Sequence, residues 1–491
     1  MKNKIWLLLF ILIYTTAQWS CKKDTLLTDS NVSLKFSADT LLFDTVFVTI
    51  GSATQNLRIH NTYSQPIKIS NIHLAGGNAS NFRINVNGSP GTSFKDIELR
   101  AGDSLWVFAE VTVDPNQSNL PYIIKDSIVF ETNGHIQDVK LVAWGQNAHF
   151  IIANKAIRTG TTSAIHYALL DTNLHAQITW DDQLPYVVYG GYAVVDSTQQ
   201  LTINQNTHIY FSNNAGLWIY SGGTLKVHGT KDKPVIFQGM RLEPNYAETP
   251  GQWDRIWIND AGTDSSEIDY AIIKNGFIGI QTESLTAGQY AGSLRITNTF
   301  IRNMSGIGIL SRNFKINAFN NVVSNCGQYT TALTLGGNYQ FVNCTFANYW
   351  NSSKRSNPAV YLNNYAIDQN NAAFPINMQK AEFDNCIIYG DNDNELQLDF
   401  VAGADSLHQF HHDFVKADKD HSTSDPNYFT SVTRNINPIF IDASKNNYQL
   451  DSSSPCIDAG DNSFDALIPF DLKGDMRIVG TNVDLGAYER Q

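Results

Sequence analysis

Four variants of one short phrase constrain this chain more than anything else in it. Ile296-Thr-Asn298-Thr-Phe-Ile, Ala318-Phe-Asn320-Asn-Val-Val, Phe341-Val-Asn343-Cys-Thr-Phe and Phe383-Asp-Asn385-Cys-Ile-Ile each set apolar flanks around an Asn. The Asn positions lie 22, 23 and 42 residues apart, and the last gap is roughly two of the others. From about Leu201 to Gly390 a short strand, a polar break and another short strand recur at this spacing, with almost no helical pattern. A unit of that length cannot bury its apolar face alone, so units must stack on their neighbours. The expected architecture is a parallel β-helix. Each coil turns one apolar row inward, and coils stack about 4.8 Å apart. A buried Asn at the turn then bonds to the same Asn above and below, which satisfies amide groups that otherwise cost about 1–3 kcal/mol each. Asn298, Asn320, Asn343 and Asn385 are therefore expected to form a structural ladder.

A chain of 491 residues exceeds one ordinary globular domain, although a solenoid absorbs any length. Hydrophobic residues make up 42% and charged residues only 16%, with abundant Gly, Asn, Thr and Ser. That is the mixture of strands joined by polar turns. The net charge of -12 argues against nucleic acid or an anionic membrane as the main partner.

The first residues read as an export leader: Lys2 and Lys4, an apolar run from Ile5 to Tyr14, then Gln18-Trp19-Ser20-Cys21. The run is too short to span a bilayer. With Cys directly after a small residue it resembles a bacterial lipoprotein signal, which implies acylation of Cys21. Gln18 and Trp19 depart from the usual lipobox. Lys22-Lys23-Asp24 is similar to the export tag of surface lipoproteins in Bacteroidetes-type bacteria, and the implied address is the outer membrane, lipid-anchored and facing the exterior. The alternative is ordinary secretion with a Cys near the cleavage site.

Residues 32–147 alternate strictly, with seven or eight short strands separated by turn signals, the pattern of an Ig-like β-sandwich. Leu57-Arg-Ile-His-Asn61, Pro66-Ile-Lys-Ile, Phe82-Arg-Ile, Arg100-Ala-Gly-Asp103 and Val139-Lys-Leu-Val-Ala-Trp-Gly145 resemble the abnormal-spindle/Hydin-type Ig-like domains, which implies a spacer or docking module. Residues 21–31 form a tether. Residues 148–200, with Trp180 and Tyr186-Val-Val-Tyr, are expected to cap the first coil, since an open solenoid end exposes strand edges.

Residues 201–424 carry the coils. Gly223-Thr-Leu-Lys-Val, Lys233-Pro-Val-Ile-Phe and Pro250-Gly-Gln-Trp253 resemble the opening coils of secreted right-handed β-helix proteins. Asn351–Asn357, Asp368–Ala372 and Ala402–Asp425 read as polar insertions. In residues 425–491, Asn437-Pro-Ile-Phe-Ile-Asp442, Ser454-Pro-Cys-Ile-Asp-Ala-Gly460, Asp471, Arg477 and Val483-Asp-Leu-Gly-Ala-Tyr-Glu489 resemble the choice-of-anchor Q domain that closes many bacterial surface β-helix proteins. Cys326, Cys344, Cys386 and Cys456 permit two disulfides, but Cys344 and Cys386 share a register, which favours stacking as small residues inside the coil.

Several sets of residues are candidates for chemistry. A glycosidase needs two carboxylates about 5–9.5 Å apart, yet the Asn-Thr-Asp and Gly-His-Gly phrases of β-helix pectinases are missing, and Asp181-Asp182 lies outside the coils. A lyase needs a base beside a uronate, with Ca²⁺ or an Arg on its carboxylate; Lys274, Arg302 and Lys315 are candidates. His408, His411, His412 and His421 with Asp413, Asp418 and Asp420 suggest a divalent ion, but without compact ligand spacing, and no metal or cofactor is assigned. Trp253, Trp257, Tyr349 and Trp350, with Tyr270, Tyr339 and Tyr361, would stack on sugar rings if they face outward. The expected function is non-catalytic recognition of polysaccharide or another surface ligand along the solenoid. The alternatives are a polysaccharide lyase or glycoside hydrolase, and a structural adhesin that binds a protein.

Overall fold

The computed structural model describes residues 25–48, 50–113, 122–160, 163–260, 265–284, 292–419 and 422–491. The leader and Cys21 lie outside them, as do Asp420 and His421. The chain is all-β: among the described residues there are strands and short 3₁₀ turns but no α-helix. It divides into two compact units, one to Asn147 and one from Ala148.

The first unit has two five-stranded sheets. One runs Lys35–Phe36, Gln55–His60, Ser104–Val111, Phe82–Val86 and Ser89–Gly91, with every pair antiparallel. The other holds Thr40–Phe47, His135–Gln146, Tyr122–Thr132, Ile67–Leu74 and Ser93–Leu99, and only its Thr40–Phe47 pair is parallel. Strict alternation puts Leu105, Val107, Ala109 and Val111 inside while Trp106, Phe108 and Glu110 face out. Buried Asn61 closes a corner, its Nδ2 donating to the carbonyls of Gln65, Leu99 and Arg100 at 2.9–3.1 Å.

In the second unit the chain passes in rotation through three long sheets of eleven, ten and ten strands. Tyr186–Tyr189, Tyr192–Val195 and Gln200–Asn204 make one coil. His208–Phe211, Gly216–Ile219 and Thr224–His228 make the next, pairing parallel to the first in turn. Among the described residues only Lys155–Arg158 with Ala164–Leu169 departs from parallel pairing in these sheets. Equivalent residues stack inside. One inward column runs Ile203, Val227, Ile268, Ile296, Ala318, Phe341, Phe383, Phe410 and Phe429. Its aromatic half stacks face to face, with ring centres 4.9–5.2 Å apart.

The repeated Asn has a conformational cause. Asn298, Asn320, Asn343 and Asn385 sit one coil apart at the corner that follows this sheet, with φ between 49° and 55°. A left-handed corner favours Asn over other residues that carry a Cβ. Tyr270, His412 and Ser431 take the same register and the same conformation. The expected amide ladder is corrected accordingly. Asn320 Nδ2 does donate to Asn298 Oδ1 at 3.0 Å, but Asn385 bonds to the backbone of Asp461 and the Asn343 amide has no partner. The column is one of bends, with a single Asn–Asn bond along it.

Two further expectations change. Ala402–Asp425 is not one polar insertion, because it contains the strands Gln409–His411 and Phe414–Val415 of a further coil. The four cysteines from Cys326 to Cys456 are all free and buried, with Cys344 and Cys386 one coil apart.

Residues 437–491 fold back along the outer face of the eleven-stranded sheet. Its outward apolar residues Phe300, Val322, Ile387 and Phe414 are covered by Tyr448, Leu450, Cys456, Leu485 and Ala487. The polar residues singled out in this segment form a latch. Buried Arg477 donates to Asn320 Oδ1 and to the Gly486 carbonyl. Asp471 accepts from the backbone of Lys473, Asp475 and Glu489, and Asp484 from that of Asp458 and Arg490. Gly486, at φ 85°, must be glycine, since a Cβ there would lie 2.5 Å from Thr345 Oγ1.

Candidate functional site

A second column of left-handed corners leads to a polar cleft. Strands Ala271–Lys274, Phe300–Arg302 and Val322–Ser324 end in Asn275, Asn303 and Asn325, one coil apart, with φ of 65°, 60° and 51°. Below them Thr345–Asn348 ends in Tyr349 and Trp350. Beside these corners opens a cleft of about 440 Å³, walled by Glu248, Asn303, Asn325, Tyr349–Ser352, Asp391, Ala443, Ser444 and Asn446.

Each wall is held from behind. Glu248 comes from the loop after the Pro244–Tyr246 turn and ion-pairs with Arg302 and, at 3.6 Å, with Lys274. Burial works to raise the Glu248 carboxyl, but these two cations outweigh it and hold the pKa below the ordinary value. Asn303 Nδ2 donates to the Glu248 carbonyl at 2.7 Å and to Asn275 Oδ1 at 2.6 Å. Asn325 Nδ2 donates to Asn446 Oδ1 at 2.8 Å, which ties the coil to the C-terminal segment. The Tyr349 ring packs on Tyr448 and edge-on to Phe440. Trp350 Nε1 donates to Ser353 Oγ at 2.9 Å. Carboxylates and amides are thus set around two aromatic rings.

Of the residues singled out in the sequence, the cleft gathers Tyr349, which is half-buried, and Trp350, which does not face outward as expected, being only 9% exposed where it lines the wall. Trp253 is a correction: it is 1% exposed, stacks on Phe211 at 4.6 Å and donates to the Lys274 carbonyl from inside the coil. Trp257 faces outward on a different sheet, but one ring face is covered by Trp218 at 4.7 Å and its Nε1 is bonded to Glu283. Tyr339 is interior, and Tyr361 bonds to Asp399. Lys274 and Arg302 are turned onto Glu248, and Lys315 lies on another sheet, so the three do not converge. Asp181 and Asp182 sit before the strand Tyr186–Tyr189, away from the cleft. Glu248 and Asp391 were not anticipated, because isolated acids in polar breaks carry no periodic signal.

The His–Asp stretch is built into the last coils. His408 stacks on Tyr428 at 4.2 Å, and His411 Nδ1 lies 2.7 Å from Asp384 Oδ1. Among the described residues no group of three or more His, Cys, Asp or Glu is placed to hold a metal ion. Asp413 is fully buried, accepting from the Cys386 N–H at 2.6 Å. Burial, with the nearby Asp384 adding to it, pushes its carboxyl well above the ordinary range. Burial pushes Asp384 up to about 6 against the pull of His411.

Raised carboxyl pKa values mean that the folded state holds protons which the unfolded chain has released. Their contribution to stability is complete below about pH 4 and is lost as pH rises through 6 and beyond. We expect stability to fall by about 2 kcal/mol or more between pH 4.5 and 8, as read by urea denaturation at each pH. Asp413→Asn keeps the acceptor for Cys386 and removes the charge, so it should raise stability at pH 8 and flatten the profile. A profile unchanged by the substitution would remove Asp413 from the account.

No family model and no curated protein matches this chain. Solved structures share short, distant likenesses with it. A family 123 glycoside hydrolase from Clostridium perfringens, analysed for glycolipid glycan hydrolysis, matches at 10% identity and TM-score 0.17, over 23% of this chain and 25% of that one. The human CEP192 ASH/PapD-like domain 7 matches at 10% identity and TM-score 0.17, over 27% of this chain and 98% of that domain. A protein of unknown function from Porphyromonas gingivalis W83 matches at 13% identity and TM-score 0.17, over 30% and 59%. This chain spans about a quarter of the hydrolase's length.

Proposed function

We propose that the protein is a surface lipoprotein that recognises a polysaccharide in the cleft beside Tyr349. In this reading Cys21 carries the acyl anchor at the outer membrane, and residues 32–147 are an Ig-like spacer. Residues 201–424 are a right-handed parallel β-helix, closed by a choice-of-anchor Q segment at 425–491. The rotation of the chain through three parallel sheets supports the solenoid, and the buried network of Arg477, Asp471 and Asp484 gives the closing phrases a physical role.

The observation that carries the functional reading is the company kept by Tyr349 and Trp350: Asn303, Asn325 and Asn446 amides with the Glu248 and Asp391 carboxylates around one 440 Å³ cleft. Amides donate to and accept from hydroxyl groups, carboxylates accept from them, and aromatic rings take the apolar faces of sugars. With Glu248 paired to Arg302 and Lys274, the walls carry no strong net charge of either sign, so a neutral glycan fits best.

The test is binding and turnover on a panel of plant, algal and host polysaccharides, with retention and newly formed chain ends both measured. Retention without product is expected. Asp391→Ala and Tyr349→Ala should each weaken binding about ten-fold, or roughly 1.4 kcal/mol. Release of reducing or unsaturated ends would instead make the protein a hydrolase or a lyase. Full retention by both variants would move the ligand out of this cleft.

A further inference from the structure

On the sheet that carries Gln200–Asn204 and Thr224–His228, the last three strands are Met378–Asp384, Gln409–His411 and Phe429–Thr430, all paired parallel. Register aligns Asp384 with His411 and His411 with Thr430, each one coil and so about 4.8 Å from the next. Phe383, Phe410 and Phe429 stack inside the coil, so the residue after each of them faces outward. The outward column therefore reads carboxylate, imidazole, hydroxyl.

Asp384 is buried, its side chain 2% exposed, and its Oδ1 lies 2.7 Å from His411 Nδ1. The two nitrogens of an imidazole lie on opposite sides of the ring, so fixing Nδ1 against one coil turns Nε2 toward the other, where Thr430 stands exposed. The pair does not earn its place as a staple. Both members sit on strands that the ladder already holds, and Asp384 Oδ2 is buried without a partner, which costs stability.

A donor for a developing oxyanion stands beside the hydroxyl. The corner N–H groups of Asn298, Asn320, Asn343, Asn385 and His412 each donate to a carbonyl of the following coil. Ser431 takes the same left-handed corner at φ 55°, but no strand of the sheet follows it, and among the described residues its N–H has no partner. It comes directly after Thr430, the place from which a backbone N–H reaches the oxygen of an acyl group attacked by the preceding side chain. Glu382 and Gln409 hold the next outward level, about 7 Å along the strands. There a cavity of about 260 Å³ opens, with Tyr428 stacked on His408 and the amides of Gln409 and Asn427 in its walls. Such a lining takes the face and hydroxyls of a sugar.

We propose that this column is an ester-cleaving site that removes short acyl groups from carbohydrate hydroxyls. Thr430 Oγ1 attacks the acyl carbon and gives its proton to His411 Nε2, while Asp384 positions the ring by accepting from Nδ1–H and the Ser431 N–H holds the negative oxygen. The bond from the acyl carbon to the sugar oxygen breaks, and that oxygen takes the proton from His411. Water then attacks the acyl-Thr430 ester and passes a proton to His411, which returns it to Thr430 Oγ1 as the carboxylic acid leaves. One water is consumed, and one alcohol and one acid are formed. No chain end is created, so this activity is separate from recognition beside Tyr349 and does not depend on it.

Release of acetate from acetylated xylan and of 4-nitrophenolate from 4-nitrophenyl acetate by the full protein tests this. Thr430→Val and His411→Gln should each lower kcat/KM at least about 100-fold, while Thr430→Ser stays within about ten-fold of wild type. Asp384→Asn should lower kcat with little change in KM, as expected of a positioning residue. Thr430 is exposed, so its variants should keep their far-ultraviolet circular dichroism, and Tyr349→Ala should keep full activity. A fluorophosphonate probe should add its mass to the peptide that contains Thr430 in wild type and not in His411→Gln. The proposal is overturned if wild type releases no acid from either ester, if Thr430→Val keeps the wild-type rate, or if the probe labels another residue.

Discussion

Glu395→Ala is expected to destabilise the second unit by about 3–5 kcal/mol, the penalty for leaving one member of a buried ion pair alone. Arg355 and Glu395 are 3% and 0% exposed in their side chains and pair through two contacts of 2.6 and 2.8 Å. Arg355 also donates to the carbonyls of Asn348 and Asn357, and Glu395 accepts from the Asn392 N–H. The pair thus pins the Asn351–Asn357 excursion and the 391–395 loop to one point behind the cleft. Burial raises the Glu395 carboxyl, with Arg355 opposing it, so desolvation is only partly compensated. That balance sets a second expectation: Arg355→Met combined with Glu395→Leu should cost less than either single change, because no charge is left stranded. Urea denaturation of the three variants measures it. A single variant within 1 kcal/mol of wild type would mean that water reaches the site and the pair is not buried as described. Since Trp350–Ser352 line the cleft, Glu395→Ala should also weaken any glycan bound there.

The repeat was legible because a corner with positive φ selects Asn, and the same demand left Asn298, Asn320, Asn343 and Asn385 in register. It was illegible where another residue meets that demand, as at Tyr270 and His412. Composition misled at Ala402–Asp425, where histidines and acids mask the alternation that brings Phe410 inside. Trp253 stands in a polar break and reads as outward, yet the chain turns its ring in against Phe211. Tyr349 and Trp350 could be found because they follow a strand directly. Their partners Glu248, Asp391 and Asn446 come from segments far apart in sequence, and only the stacking of coils brings them together. The Arg355–Glu395 pair is invisible for the same reason, both members lying in breaks that look merely solvated.

Phe383→Ala tests whether the coils share stability only with their neighbours. Phe383 is fully buried, stacked on Phe341 at 5.0 Å and on Phe410 at 4.9 Å, and meets Phe346 edge-on. Truncation removes the ring from between two others that backbone pairing holds one coil apart on either side, so the void cannot close and the expected cost is about 3–5 kcal/mol. Phe383→Leu, which refills most of the volume, should cost less than about 1.5 kcal/mol. Where the loss appears matters more than its size. Toward the N-terminal coils the same column is Ile268, Ile296 and Ala318, whose packing does not touch Phe383. Toward the C-terminus it is Phe410 and Phe429, which rest on Phe383 in sequence. Hydrogen exchange should therefore show the amides of Gln409–His411 and Phe429–Thr430 losing protection while those of Gln200–Asn204 and Thr224–His228 keep theirs. Equal loss of protection in every coil would show that the stack opens as one cooperative body. In that case the C-terminal segment is the element to credit, since its latch on Asn320 and Thr345 reaches across several coils at once.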